Sequence, residues 1–185
     1  MNNSLKQAIQ LLDQANADDP KNGVELLYSQ RMLNTLQGFK KDASGPLTLA
    51  CYAQHVCRWK LARKDYPTGL EGYLKWRTDL AKLHASILAD VMQQSGFNDD
   101  DIKLASNIIQ KKRLKKDPDA QAMEDVSCLV FLNYYFDPFV KKHSEEKIID
   151  IVQKTWAKMS DDGHAAALAL TLPDHLQALV VKALG

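Results

Sequence analysis

Apolar residues recur every three or four positions along almost the whole chain, as on one face of a helix, and no stretch alternates apolar with polar as a half-buried strand would. Ser4 is placed to cap a first helix with Leu5, Ile9 and Leu12 on one face, and Asp18-Asp19-Pro20 through Gly23 breaks it. A second helix is predicted over Val24 to Gly38, with Leu27, Met32 and Leu36 in its apolar set. Gly45-Pro46 opens a third, because proline suits the first turn of a helix, and this one is expected to continue to about Lys60. Residues 61–70 read as a basic loop interrupted by Tyr66-Pro67.

A long helix follows from about Glu71 to Ser95, closed by Gly96, with Leu80, Leu83, Ile87 and Val91 in its stripe and His84 beside it. Asn98 caps the next helix, which begins with Asp99, Asp100 and Asp101 and is expected to end in Lys111, Lys112 and Arg113, a polarity that suits the helix dipole. Asp117-Pro118 starts a helix to about Tyr135 that is apolar on nearly every side, which marks it as buried. After Asp137-Pro138, Ser144 and Ser160 are set to cap two further helices and Pro173 opens a last one. The expected fold is all-α, a single domain over residues 1–185 of nine or ten helices, with the C-terminal helices packed on the bundle.

A length of 185 residues supports one well-filled core, and 45% hydrophobic with 25% charged residues is ordinary for a soluble globular chain. The net charge of +1 argues against gripping nucleic acid through bulk charge, so no nucleic-acid partner is expected by default. No apolar run reaches the roughly 18–20 residues that span a bilayer, and Met1 to Lys6 lacks the basic start and apolar block of a signal peptide. Cys51, Cys57 and Cys128 are odd in number and sit in apolar helical patterns, so they read as reduced core residues of a cytoplasmic protein without a membrane partner. No Cys-x-x-Cys or His-Glu-x-x-His spacing offers a zinc site.

Three side chains stand out against this background. His55, flanked by Tyr52 and Trp59 at helical spacing, His84 on the long helix and Asp125 on the apolar helix are all costly to bury unless paired or used. An ionised Asp125 must meet a cation, a metal or several donors; if it faces His55 or His84, that histidine is expected to titrate above its free value. Glu124 is either a second carboxylate at the cleft or a rim residue. Arg31, Arg58, Arg63, Lys64 and Arg77 surround these positions and suit phosphate or carboxylate, while Trp59, Tyr66 and Trp76 offer rings for stacking. The run Lys111 to Lys116 is accounted for by its place at a helix C-terminus, with Lys112 kept as a ligand-binding candidate. His143, His164 and His175 read as surface or capping residues, and Trp156 and Met159 as packing.

Residues 24–135 resemble the HD-domain phosphohydrolases in the order of these elements: Tyr28-Ser29-Gln30-Arg31, then His55-Val56, then His84, then Met123-Glu124-Asp125-Val126. The resemblance implies a divalent metal that activates water and neutralises phosphate charge, with His55 and Asp125 as the retained ligand positions. Tyr28 and Val56 stand where two further ligands belong, which argues against a tight metal site. Leu27 to Met32, Gln54 to Trp59, Tyr73 to Arg77, Glu124 to Leu132 and Lys154 to Ser160 also resemble, over nearly the whole chain, a family catalogued only as a domain of unknown function. The expected function is binding of a phosphorylated or anionic small molecule, a nucleotide among the candidates, in an HD-like cleft. Phosphoester hydrolysis would employ His55, His84, Asp125 and Glu124, with Tyr28, Arg31, Arg58, Trp59, Arg63, Arg77 and Lys112 around the ligand. The competing expectation is an inactive ligand-binding or protein-interaction domain.

Overall fold

The computed structural model describes residues 2–185 and is all-helical, with no strand among the described residues. Contacts cluster into two compact units, Met1–Met123 and Glu124–Gly185, and the division falls within a helix rather than in a linker.

The first unit holds α1 (Asn3–Ala15), α2 (Val24–Phe39), α3 (Gly45–Tyr52), α4 (Gly69–Gln94), α5 (Asp99–Ile109) and the beginning of α6 (Pro118–Val130). α3 lies at its centre: every residue from Pro46 to Tyr52 is buried, and the helix packs against α1, α2 and α5. α4 packs against α5 and α1. Leu12, Met32, Leu36, Leu47, Leu49, Leu80, Leu88, Met92 and Ile108 fill this core, each worth roughly 1.5–3 kcal/mol when fully buried. Capping explains several boundaries. Ser44 Oγ accepts from Leu47 N at 3.2 Å, and Asn98 Oδ1 accepts from Asp101 N at 2.9 Å. Asn2 rather than Ser4 caps α1, accepting from Leu5 N at 2.8 Å. α2 is started by Asp19, whose carboxylate accepts from Lys21 N at 2.9 Å and Glu25 N at 3.0 Å, while Gly23 turns the chain at φ 83°.

The second unit contains the rest of α6, a π-helical turn at Phe131–Tyr135, α7 (Phe136–Val140), α8 (Glu145–Lys158), α9 (Asp161–Leu168) and α10 (Asp174–Leu184). α8 packs against α10 and α7. Ser144 and Ser160 cap α8 and α9, as their sequence context predicts.

Three boundaries differ from the sequence reading. The third helix stops at Tyr52, not Lys60, because Cys57 takes a left-handed conformation at φ 51°. α5 stops at Ile109, so the basic run lies beyond it. Asp137-Pro138 does not break the chain but falls in the first turn of α7, where a missing N–H does no harm. No helix among the described residues is long and apolar enough to cross a membrane.

Candidate functional site: a desolvated histidine pair

The segment after α3 is a string of tight turns, not a helix. Val56 N donates to Ala53 O, Arg58 N to His55 O and Lys60 N to Cys57 O, and a 3-10 turn covers Arg58–Lys60. The end of α1 pins it: Asn16 Oδ1 accepts from Cys57 N at 2.9 Å, and Ala15 O from Cys57 Sγ at 3.1 Å. Val56 is fully buried as the anchor of the turn. Its burial turns His55 the other way, so the helical surface expected for Tyr52, His55, Val56 and Trp59 does not form; Tyr52 instead donates to Asp13 of α1 at 2.6 Å.

His55 stacks flat on Tyr28 of α2, with ring centroids 3.7 Å apart and planes 10° from parallel. Tyr28 is fixed in turn by donating to Gln54 Oε1 at 2.9 Å. His55 Nδ1 lies 3.3 Å from Oε2 of Glu25, a buried carboxylate one turn before Tyr28. His84, buried on α4, brings its ring to 6.4 Å from that of His55. Its Nε2 is buried without a hydrogen-bond partner among the described residues. Arg77 stands two turns earlier on the same face of α4, exposed and in no ion pair among the described residues. Arg58 lies over the Trp76 ring at 4.8 Å, and Trp76 is held by donating Nε1–H to Leu61 O at 2.9 Å.

Burial and surrounding cations keep both histidines neutral. Desolvation first, then repulsion from His55, Arg58 and Arg77, lowers the His84 pKa to about 3. Desolvation, then Arg58, Arg77 and Lys111, holds His55 well below its ordinary value. The direction is opposite to the one expected from a facing Asp125, because desolvation, with the nearby cations adding to it, disfavours the charged ring. Burial raises the Glu25 carboxyl, partly offset by Arg58. With His55 neutral and Glu25 ionised, the contact is a hydrogen bond from Nδ1–H, which leaves Nε2 of His55 with its lone pair unprotonated. The donor set does not fit a metal: no group of three His, Cys, Asp or Glu among the described residues could hold one.

Of the other residues singled out in the sequence, Asp125 and Glu124 lie in the second unit. Asp125 Oδ1 accepts from Ser160 N at 2.8 Å and Oδ2 from Ser160 Oγ at 2.6 Å. A backbone N–H and a hydroxyl at the N-terminus of α9 therefore meet its charge. Gly163 makes this possible, since a Cβ there would come within 2.5 Å of Asp125 Oδ1. Arg63 is spent on its own loop, donating to Tyr66 O at 3.1 Å and Pro67 O at 2.8 Å. Gly72 lets α4 approach that loop, because a Cβ would meet Pro67 O at 2.0 Å. Arg31 is half-buried on α2, Trp59 is half-buried in the 3-10 turn, and Lys112 is exposed beyond α5. Sequence reasoning missed Glu25 and Lys111. The i, i+3 spacing of Glu25 and Tyr28 places both on one face of α2 and was the available signal for Glu25.

The model of a family described as a domain of unknown function (DUF4202) matches residues 6–180. No curated protein and no solved structure matches the chain.

Proposed function

The chain belongs to the DUF4202 family, a domain of unknown function, and we propose that its histidine pair binds a phosphorylated or otherwise anionic small molecule. The observation that carries this reading is the buried, unpartnered Nε2 of His84 beside Arg58 and Arg77. An oxyanion there accepts from His84 Nε2–H and from a guanidinium fork, and its charge offsets the cation repulsion that adds to desolvation in holding the histidines neutral. Binding should therefore raise the pKa of both rings and take up protons as the pH falls.

The same arrangement supports phosphoester hydrolysis, with His55 oriented by Glu25 and its Nε2 moving the proton. The order of His55 and His84 also supports an HD-like ancestry, but since the residues do not fit the metal of that family, no step is drawn through one. The fully buried Val56, at the place of a ligand in HD enzymes, favours the second reading, an anion-binding domain that catalyses nothing.

The test is a panel of phosphomonoesters and nucleotides, with and without magnesium or manganese, on wild type, His55→Gln and His84→Gln. Binding of at least one anion that weakens in both variants, with the helical circular dichroism retained, is expected. Turnover abolished by His55→Gln adds the enzyme reading. Absence of binding across the panel overturns the proposal.

A further inference from the structure

The cationic run Lys111 to Lys116 is not the end of a helix: the last turn of α5 contains no basic residue, and the run forms successive turns beyond it. Its backbone is unusual. Lys111, Arg113 and Lys115 have φ of 54°, 59° and 68°, while Lys112 and Leu114 between them do not take positive φ. Side chains with a Cβ avoid the left-handed region, and none of these three is the Asn or Asp that tolerates it best. Strain of this kind persists only where the surroundings enforce it, and it concentrates at binding sites. Alternation of hand along a chain also turns successive N–H groups to one side, the backbone arrangement that cradles oxyanions.

Lys111 N donates to Ile108 O, Lys112 N to Asn107 O, and Lys116 N and Asp117 N both to Arg113 O. Among the described residues, Arg113 N and Leu114 N reach no acceptor. Lys112, Arg113 and Lys116 are exposed and likewise make no ion pair or hydrogen bond through their side chains. The adjacent carboxylate does not neutralise them, since Asp117 Oδ1 accepts from Asp119 N at 2.9 Å and Ala120 N at 3.2 Å to start α6.

We propose that Lys111–Lys116 is a phosphate-binding loop, in which Arg113 N–H, Leu114 N–H and the side chains of Lys112, Arg113 and Lys116 hold a phosphate group of a small molecule. A tetrahedral dianion uses this many donors and offsets the local charge, whereas a carboxylate has two oxygens and one charge. A nucleic acid is a poorer fit, because the cations are confined to one loop of a chain whose net charge is +1. The proposal stands apart from the histidine pair: none of the groups it uses belongs to that cluster.

The experiment titrates pyrophosphate into uniformly nitrogen-15-labelled full chain and follows the backbone amides by NMR. Saturable shifts centred on Arg113 and Leu114 are expected, weakened roughly tenfold or more in Lys112→Ala and Arg113→Gly. Glycine at 113 keeps the left-handed backbone while removing the side chain, so loss of affinity there does not reflect loss of the loop. The shifts should persist in His55→Gln, and Lys6→Ala, an exposed control on α1, should bind as wild type. Shifts that do not saturate, that spread over the surface, or that disappear in His55→Gln overturn the proposal. So does a single-stranded oligonucleotide that binds the loop more tightly than pyrophosphate at equal phosphate concentration.

Discussion

Replacing His84 by Met should flatten the acid side of the stability profile. His84 has an ordinary pKa of 6.5 and a folded value of about 3. Between these values the unfolded chain binds a proton that the native chain refuses, so the contribution of His84 to stability falls as the pH drops from 6.5 towards 3. One pKa unit corresponds to about 1.4 kcal/mol, so His84 alone should cost about 2 kcal/mol between roughly pH 7.5 and pH 5, and more at lower pH. The side chain is only 4% exposed, so solvent screening does little to reduce that figure. Glu25 acts in the opposite sense, because its raised value makes the native state the better proton acceptor above 4.5, but both proteins share it. The measurement is urea unfolding of wild type and His84→Met at the two pH values. The wild type should lose about 2 kcal/mol more than the variant over that interval. A difference below about 0.5 kcal/mol, or a His84 ring that titrates near its ordinary value by NMR, would refute the reasoning.

The second unit yields two further expectations. Asp125→Ala should destabilise by about 2–4 kcal/mol, since it orphans both donors of Ser160, and Asp125→Asn should cost less because one acceptor survives; calorimetry of the three proteins checks the order. Gly163→Ala should destabilise by about 1–3 kcal/mol through its clash with Asp125, against the gain of roughly 1 kcal/mol expected of Ala at an unobstructed helical position. In an Asp125→Ala background the penalty should largely disappear, and additivity of the two changes would remove Asp125 as its cause.

Much of the helical framework is legible in the sequence, because periodicity and caps act locally. Asn98, Ser144 and Ser160 cap the helices they are placed to cap. Of the stripe Leu80, Leu83, Ile87 and Val91, the first and last are buried on α4 while Leu83 and Ile87 are half-buried, the buried face running instead through His84 and Leu88. What was not legible depends on contacts distant in sequence. Residues 53–60 carry a good helical pattern, yet Asn16 and Ala15, some forty positions earlier, take up Cys57 N and Sγ and hold the chain in turns. For the same reason the partner of His55 could not be read from its own segment. The sequence points to His55, His84, Tyr28, Arg58 and Arg77; the structure adds Glu25 beside His55, and places Asp125 against Ser160.

Glu25 and Asp125 show why a buried carboxylate alone does not locate a site. Asp125 is 1% exposed and fully engaged by a backbone N–H and a hydroxyl at the start of a helix, so its burial is explained by capping. Glu25 is 5% exposed, but its carboxylate meets a histidine ring rather than a helix terminus, and burial works against its charge. The first arrangement lowers the energy of the native fold and asks nothing further. The second, with His84 Nε2 left without a partner nearby, forgoes about 1–3 kcal/mol that an apolar side chain of similar size would not lose. A fold can tolerate that loss, but a ligand oxygen would recover it, which is why the proposed binding is to be sought at the histidine pair and not at the more deeply buried aspartate.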